Sequence, residues 1–385
     1  MNEFVFRMPT RVLFGVEAEK NVLSICNSQK WSKIFVVTGK TSTKKSPHLN
    51  GIVESLKGSG IQVEVFSEVE ADPSVETVDE GGAKLLAFGA DAVLAFGGGS
   101  PMDAAKSMTL VAANGGSIAD YLRGKRSIAR KGVPLICLPT TAGTGSEVTA
   151  AAVTTDKHSK EKIGISHDFL MPMFAIIDPA LHVSMPPAVT ATTGIDALTH
   201  AIEAYVAVKA NPVTDGLALQ AITMIGKNLR RAYSSGDDLE ARSNMALASL
   251  IAGGAFTNAG LGAVHAIAHP LGAQFGISHG MANGIMLPYV MEYCMVANYA
   301  KFRDIAAALG EDVYGQSEQA AAGKSVAAVN KLKAAIGIAN KLAEVNVSRD
   351  ALESIAKDAA TYRLLPNSPR QLAIEDLRII IANAL

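Results

Sequence analysis

Short apolar runs alternate with amphipathic stretches through the first half of the chain. IFVVTG (34–39), AVLAFGGG (92–99), PLICLPTT (134–141) and FAIIDP (174–179) are apolar and end in turn residues, whereas VEVFSEV (63–69) alternates. Runs this short suit strands buried on both faces of a parallel sheet. Helical periodicity fills the intervals at 16–26, 49–58, 74–88 and 101–112. The alternation predicts an α/β domain with a Rossmann-like parallel sheet, whose ligands bind beyond the carboxyl ends of the strands.

The texture changes near MPPAVTATTGIDALTH. Beyond Pro187 no strand pattern stands out, and Ala/Leu/Ile/Met periodicity predicts helices at 190–208, 213–232, 238–257, 261–274, 281–297, 299–308, 325–343, 350–358 and 374–384. The expected organisation is an α/β domain over 1–185 and an all-helical domain over 186–385, the natural outcome for a chain too long for one ordinary core.

Composition narrows the function. A net charge of −1 with no Lys/Arg block argues against a nucleic-acid surface. No apolar run reaches membrane-spanning length, and MNEFVFRMPT is not a secretory leader. Three widely spaced cysteines, Cys26, Cys137 and Cys294, make neither a disulfide framework nor a CxxC knuckle. A reduced, cytoplasmic setting is the simplest expectation.

Two glycine-rich loops follow predicted strands. In FGGGSPMDAAK (96–106) the glycines permit close backbone approach, Pro101 suits the first helical turn, and the helix start offers unpaired N–H groups to a phosphate. The GxGxxG pattern is absent, so the turn alone is also explained as structural punctuation. LPTTAGTGSEVT (138–149) adds Thr140, Thr141, Thr144 and Ser146, able to bond phosphate, ribose or carboxamide, or merely to cap a helix. Two such loops at strand ends suit a dinucleotide.

The helical half carries candidate metal ligands. Asp196 and His200 lie four apart in TGIDALTHAIEAY, and VHAIAHPLGAQFGISHG holds His265, His269 and His279. A carboxylate and three imidazoles can hold a divalent transition metal. By spacing, His265 and His269 compete for one ligand place. Glu203, on the Asp196 face, is either a partner to a ligand or a surface acid.

GGGSPMDAAK, PTTAGTGSEVT, the IDP element at 177–179, TGIDALTHAIEAY, NPVTDGLALQAI and VHAIAHPLGAQFGISHGMANGIMLP together resemble the iron-containing (group III) alcohol dehydrogenase family over essentially the full length. The resemblance implies a metal-dependent alcohol dehydrogenase or aldehyde reductase, using Fe²⁺ (or Zn²⁺ or another divalent metal) and NAD(P), with a small alcohol or aldehyde as substrate and a homodimer or larger assembly. It implies Asp196, His200, His265 and His279 as metal ligands, and His269 near the nicotinamide as a catalytic candidate. It further implies Gly98, Gly99 and Ser100 at the pyrophosphate, with Asp103, Thr140, Thr141, Thr144, Ser146 and Lys162 lining the cofactor. The other reading within this architecture is a metal- and NAD-dependent cyclase or lyase of the dehydroquinate synthase kind, which needs a basic pocket that the metal segments lack.

Three departures from the family pattern bear on specificity. Many members carry Asp at the position of Gly39, where it binds the ribose hydroxyls and repels a 2′-phosphate. Gly39, followed by Lys40, Lys44 and Lys45, points to NADP or dual use. Ala150, Ala151 and Ala152 replace larger or polar residues, implying a roomier or more apolar pocket mouth. Arg370, in an NSPR element, is left to meet an anionic substrate or to cap the fold.

Overall fold

The computed structural model describes residues 3–41, 46–159 and 161–385. These form two compact units: an α/β unit of Met8–Thr141 and Ser146–Val183, and a helical unit of residues 3–7, 142–145 and 184–385.

The α/β unit runs β1 (Arg11–Phe14), α1 (Asn21–Gln29), β2 (Lys33–Gly39), α2 (Pro47–Gly58), β3 (Gln62–Val69), α3 (Val75–Phe88), β4 (Ala92–Gly97), α4 (Gly99–Asn114), α5 (Ile118–Leu122), β5 (Leu135–Pro139), β6 (Ala151–Asp156), β7 (Glu161–Ser166) and β8 (Phe174–Ile177). Six strands pair in the order β1-β8-β5-β4-β2-β3, every pairing parallel. Strand alternation divides the core. Phe35, Val37, Val93, Ala95 and Cys137 pack in one apolar cluster, and Ile34, Val36, Leu94, Phe96 and Ile136 in another. Both faces are therefore buried, which is why the runs read as continuously apolar.

The sheet order contains a switch. After β2 the chain adds β3 on one side, then returns to place β4 on the other. Thr38 of β2 lies opposite Phe96, and Gly97 opposite Pro139. The ends of β2, β4 and β5 thus stand side by side where doubly wound sheets bind ligands.

Two features depart from the sequence reading. The edge strand β1 was not anticipated; four residues, the outer two exposed and the inner two half-buried, are too few to show a period. Nor was the antiparallel β6–β7 hairpin, whose start is Ala-rich and whose second strand carries Gly164.

The helical unit comprises α6 (Pro187–Val206), α7 (Pro212–Ser234), α8 (Leu239–Ala259), α9 (Ala263–Phe275), α10 (His279–Cys294), α11 (Tyr299–Ala308), α12 (Glu318–Ala335), α13 (Leu352–Ala360) and α14 (Ile374–Ala384). Among its described residues there is no strand. Pro212 and the Asn211–Thr214 capping box start α7 where NPVT reads as a helix entrance. Helix α12 starts at Glu318 rather than near 325, behind a Ser317 N-cap that accepts the Ala320 N–H; its first three residues are exposed and give no apolar signal. Alanine dominates the shared core, so helices approach closely. Among the described residues no single helix is long and apolar enough to cross a membrane, and the bent pair α8–α9 that would be long enough contributes to this core.

Candidate metal centre and cofactor loops

Helix α6 buries Asp196, His200 and Glu203 on successive turns of one face. Helix α9 supplies His265 from its first turn, and α10 opens on His279. One ligand atom from each of Asp196, His200, His265 and His279 lies within 4.8 Å of all the others. Backbone contact enforces this convergence. A Cβ on Gly280 would stand 2.0 Å from the Thr192 carbonyl oxygen, so only glycine lets the start of α10 meet α6. His279 Nε2 then lies 3.7 Å from Asp196 Oδ1.

Hydrogen bonds orient the rings. Glu203 accepts from Gly262 N–H at 3.0 Å, Val264 N–H at 2.7 Å and His265 Nδ1 at 2.6 Å. Burial pushes the Glu203 carboxyl up to about 7, but two backbone N–H groups, one on each oxygen, fit the ionised form. His265 Nδ1 therefore carries the proton and Nε2 is left as a bare donor atom. His200 Nδ1 donates to the Gly143 carbonyl at 3.2 Å, with the same consequence. Gly143 packs so tightly that a Cβ would fall 2.7 Å from Thr193 Cβ.

Burial pushes His200 down and His265 well down, so both imidazoles are neutral. Burial raises the Asp196 carboxyl, yet it is held below its ordinary range, with the Asn283 amide donating to Oδ1 at 2.6 Å. A buried carboxylate among imidazoles whose free lone pairs face one another is the donor set that divalent transition ions take.

The structure separates the two histidines that spacing left equivalent. His265 is buried and faces the cluster, whereas His269 is half-buried and outside it. The His269 ring lies edge-on 5.6 Å from His279 and 4.9 Å from Tyr362. Glu203 is fully inside, so it is a partner to a ligand and not a surface acid.

The cofactor candidates divide. Helix α4 begins at Gly99 with Gly98 as its N-cap and no side-chain cap, leaving first-turn N–H groups for a phosphate. Gly98 lies against Thr141, where a Cβ would stand 3.1 Å from Oγ1, and Thr140 N–H donates to the Gly97 carbonyl at 2.9 Å. Gly39 closes β2 opposite Val69 at the switch. Ser100 Oγ accepts the Asp72 N–H at 3.2 Å, and Asp72 pairs with Lys162 at 2.7 Å. Lys44 and Lys45 lie outside the described residues. Thr144 belongs to the helical unit with Gly143.

Asp103 and Ser146 are held inward. Asp103 accepts from Ser146 Oγ at 2.7 Å and Val153 N–H at 3.0 Å, and Lys106 Nζ reaches Ser146 Oγ at 2.8 Å. Lys106, fully buried, was missed by sequence reasoning; its signal was the i, i+3 spacing from Asp103. The expectation of an apolar pocket mouth fails at Ala152, which is 1% exposed in the sheet core. Arg370 donates to the Tyr293 carbonyl at 3.1 Å and covers that ring at 4.3 Å, so it caps α10. Asn283, one turn after His279, was also missed, although its spacing repeats that of Asp196 and His200.

A doubly wound unit with phosphate-type loops and a helical unit with a buried Asp/His cluster together define a metal-dependent oxidoreductase. The chain belongs to the iron-containing alcohol dehydrogenase family. Sequence models of "Iron-containing alcohol dehydrogenase" and "Fe-containing alcohol dehydrogenase family, C-terminal" match residues 9–179 and 190–385. The long-chain-alcohol dehydrogenase 1 of Geobacillus thermodenitrificans is 44% identical over 86% of this chain and 84% of its own. The NAD-dependent methanol dehydrogenase of Bacillus methanolicus is 41% identical over 87% of each. A solved 1,3-propanediol oxidoreductase superposes with a TM-score of 0.95 at 37% identity, covering 100% of both chains.

Proposed function

We propose that this enzyme reversibly interconverts a small primary alcohol and its aldehyde with NAD(P)(H), using a divalent metal held by Asp196, His200, His265 and His279. The convergence of these four ligand atoms within 4.8 Å carries the reading. When bound, the metal supplies Lewis acidity toward the substrate oxygen and the nicotinamide supplies or accepts the hydride. The chain's own residues bind and orient. Glu203 and Gly143 hold two imidazoles with Nε2 presented inward. Gly98, Gly99 and Ser100 at the start of α4 receive the pyrophosphate, with Thr140 and Thr141 beside it. His269, next to His279 and braced by Tyr362, receives the alcohol proton during oxidation and returns it during reduction.

The donor set accepts Fe²⁺, the metal of the family's name, and binds Zn²⁺ at least as tightly. With Gly39 at the end of β2, NADPH is used alongside NADH. Relatives named for long-chain alcohols, methanol and 1,3-propanediol share this build, so the build does not choose the alcohol. Short alkanols, propanediols and aldehydes bearing an acidic group are the candidates. The family match and the low charge near the metal segments tell against a cyclase or lyase.

The test is an aldehyde panel run with NADH and NADPH on metal-free protein and on protein reloaded with one metal at a time. Turnover restored by Fe²⁺ or Zn²⁺ is expected. Full activity of the metal-free protein would overturn the proposal.

A further inference from the structure

Asn283 is fully buried on α10, one turn beyond His279. Its Nδ2 lies 2.6 Å from Asp196 Oδ1, 3.2 Å from His265 Nε2 and 3.1 Å from His279 Nε2. Three ligand atoms thus converge on one amide nitrogen, which has only two hydrogens to share among them. The other end of the amide is unsatisfied: Oδ1 is buried without a hydrogen-bond partner. Such an arrangement is poor as plain core packing, because buried polar groups are ordinarily paired. It is well suited to gathering acceptors. The amide N–H₂ bears partial positive charge at the point where a carboxylate and two imidazole lone pairs would otherwise repel one another.

We propose that Asn283 is a positioning residue of the metal centre. Its amide keeps Asp196, His265 and His279 converged as a ready-made ligand set, and so sets how tightly a divalent cation is held. This rests on the metal reading above. Glu203 and Gly143 act on ring nitrogens turned away from the cluster; Asn283 acts on the ligand atoms themselves. When a cation binds, the two imidazole lone pairs pass to it, whereas Asp196 Oδ1 has a lone pair to spare and keeps the Nδ2 bond; partners that hold a ligating carboxylate govern affinity strongly.

The experiment measures Zn²⁺ affinity by chelator competition, and melting temperature with and without Zn²⁺, for wild type, Asn283→Ala and Asn283→Asp. Asn283→Ala is expected to weaken Zn²⁺ binding about 10–100-fold. Asn283→Asp sets a second carboxylate beside Asp196. It is expected to melt lower than wild type without metal, and to gain more in melting temperature from Zn²⁺ than wild type does. If Asn283→Ala does not fold, Asn283→Leu, close to Asn in size and without the amide, is measured in its place and is expected to weaken Zn²⁺ binding likewise. Lowered melting with wild-type Zn²⁺ affinity in the Ala variant, or an equal Zn²⁺-induced gain in the Asp variant, means a merely structural residue and overturns the proposal. Absence of Zn²⁺ binding by wild type is a different result: it defeats the metal reading itself.

Discussion

Glu203 accepts the Nδ1 proton of His265 at 2.6 Å while its two oxygens also take the Gly262 and Val264 N–H groups. One carboxylate therefore fixes a helix start and a ligand ring together. Replacing it by glutamine puts an amide N–H₂ against a donor that needs an acceptor. Glu203→Gln is expected to lose about 1–3 kcal/mol of stability from the unsatisfied group. It is also expected to weaken metal binding about 10–100-fold by freeing the imidazole. Thermal melts and chelator competition measure the two effects, and unchanged metal affinity would show that the contact serves only the fold.

His269 stands apart from the ligand set, with Tyr362 at 4.9 Å and His279 at 5.6 Å between ring centroids. Removal of a proton-transfer group costs on the order of 100-fold in rate. His269→Ala should therefore lower turnover by about that factor and leave metal content at the wild-type level. A rise in cofactor Kd with unchanged turnover would assign it to the nicotinamide pocket wall instead.

Much of the fold was legible because the physics is local. Strands such as AVLAFG, buried on both faces, must be apolar throughout, and Phe302, Ile305 and Ala306 mark the buried stripe of the 299–308 helix. The candidate ligands were legible as residue types, but their selection was not. His265 and His269 share a helix at i, i+4, and only the fold shows that one turns to Glu203 and the other toward Tyr362. Asn283 and Lys106 stayed hidden because neutral amides and single lysines are common. Their meaning comes from what three-dimensional packing brings to them. The pocket-mouth reading failed at Ala152 for a related reason: small residues serve a pocket mouth and a buried strand equally well, and Ala152 is buried in β6 while Ala150 and Ala151 are half-buried.

Gly39 ends β2 opposite Val69 of β3, one residue past Thr38, which faces Phe96 of β4 at the switch point. A carboxylate there would accept from ribose hydroxyls and repel a 2′-phosphate. Gly39→Asp is expected to raise the NADH-to-NADPH ratio of kcat/KM by about tenfold, the equivalent of about 1.4 kcal/mol. Most of the change should appear as a higher KM for NADPH. An unchanged ratio would place the adenosine ribose away from the end of β2.

Acid sensitivity of the α/β unit should centre on Glu70. Burial raises its carboxyl, but Ser74, a backbone N–H, Thr77 and Lys157 outweigh that and bring it down to about 2 from an ordinary 4.5. Ser74 Oγ donates at 2.7 Å, Thr77 Oγ1 at 2.7 Å and Lys157 Nζ at 3.2 Å. The folded form thus stays ionised where the unfolded chain already binds a proton. Its contribution is full above the unfolded value and is lost as pH falls from about 4.5 to about 2. The carboxylate is partly solvated, so screening reduces the contribution to about 1 kcal/mol. Glu70→Gln should melt below wild type at neutral pH, and the gap should close across that acid window. Melting curves of both proteins at stepped pH test this, since a gap that persists to pH about 2 would trace the loss to packing rather than charge.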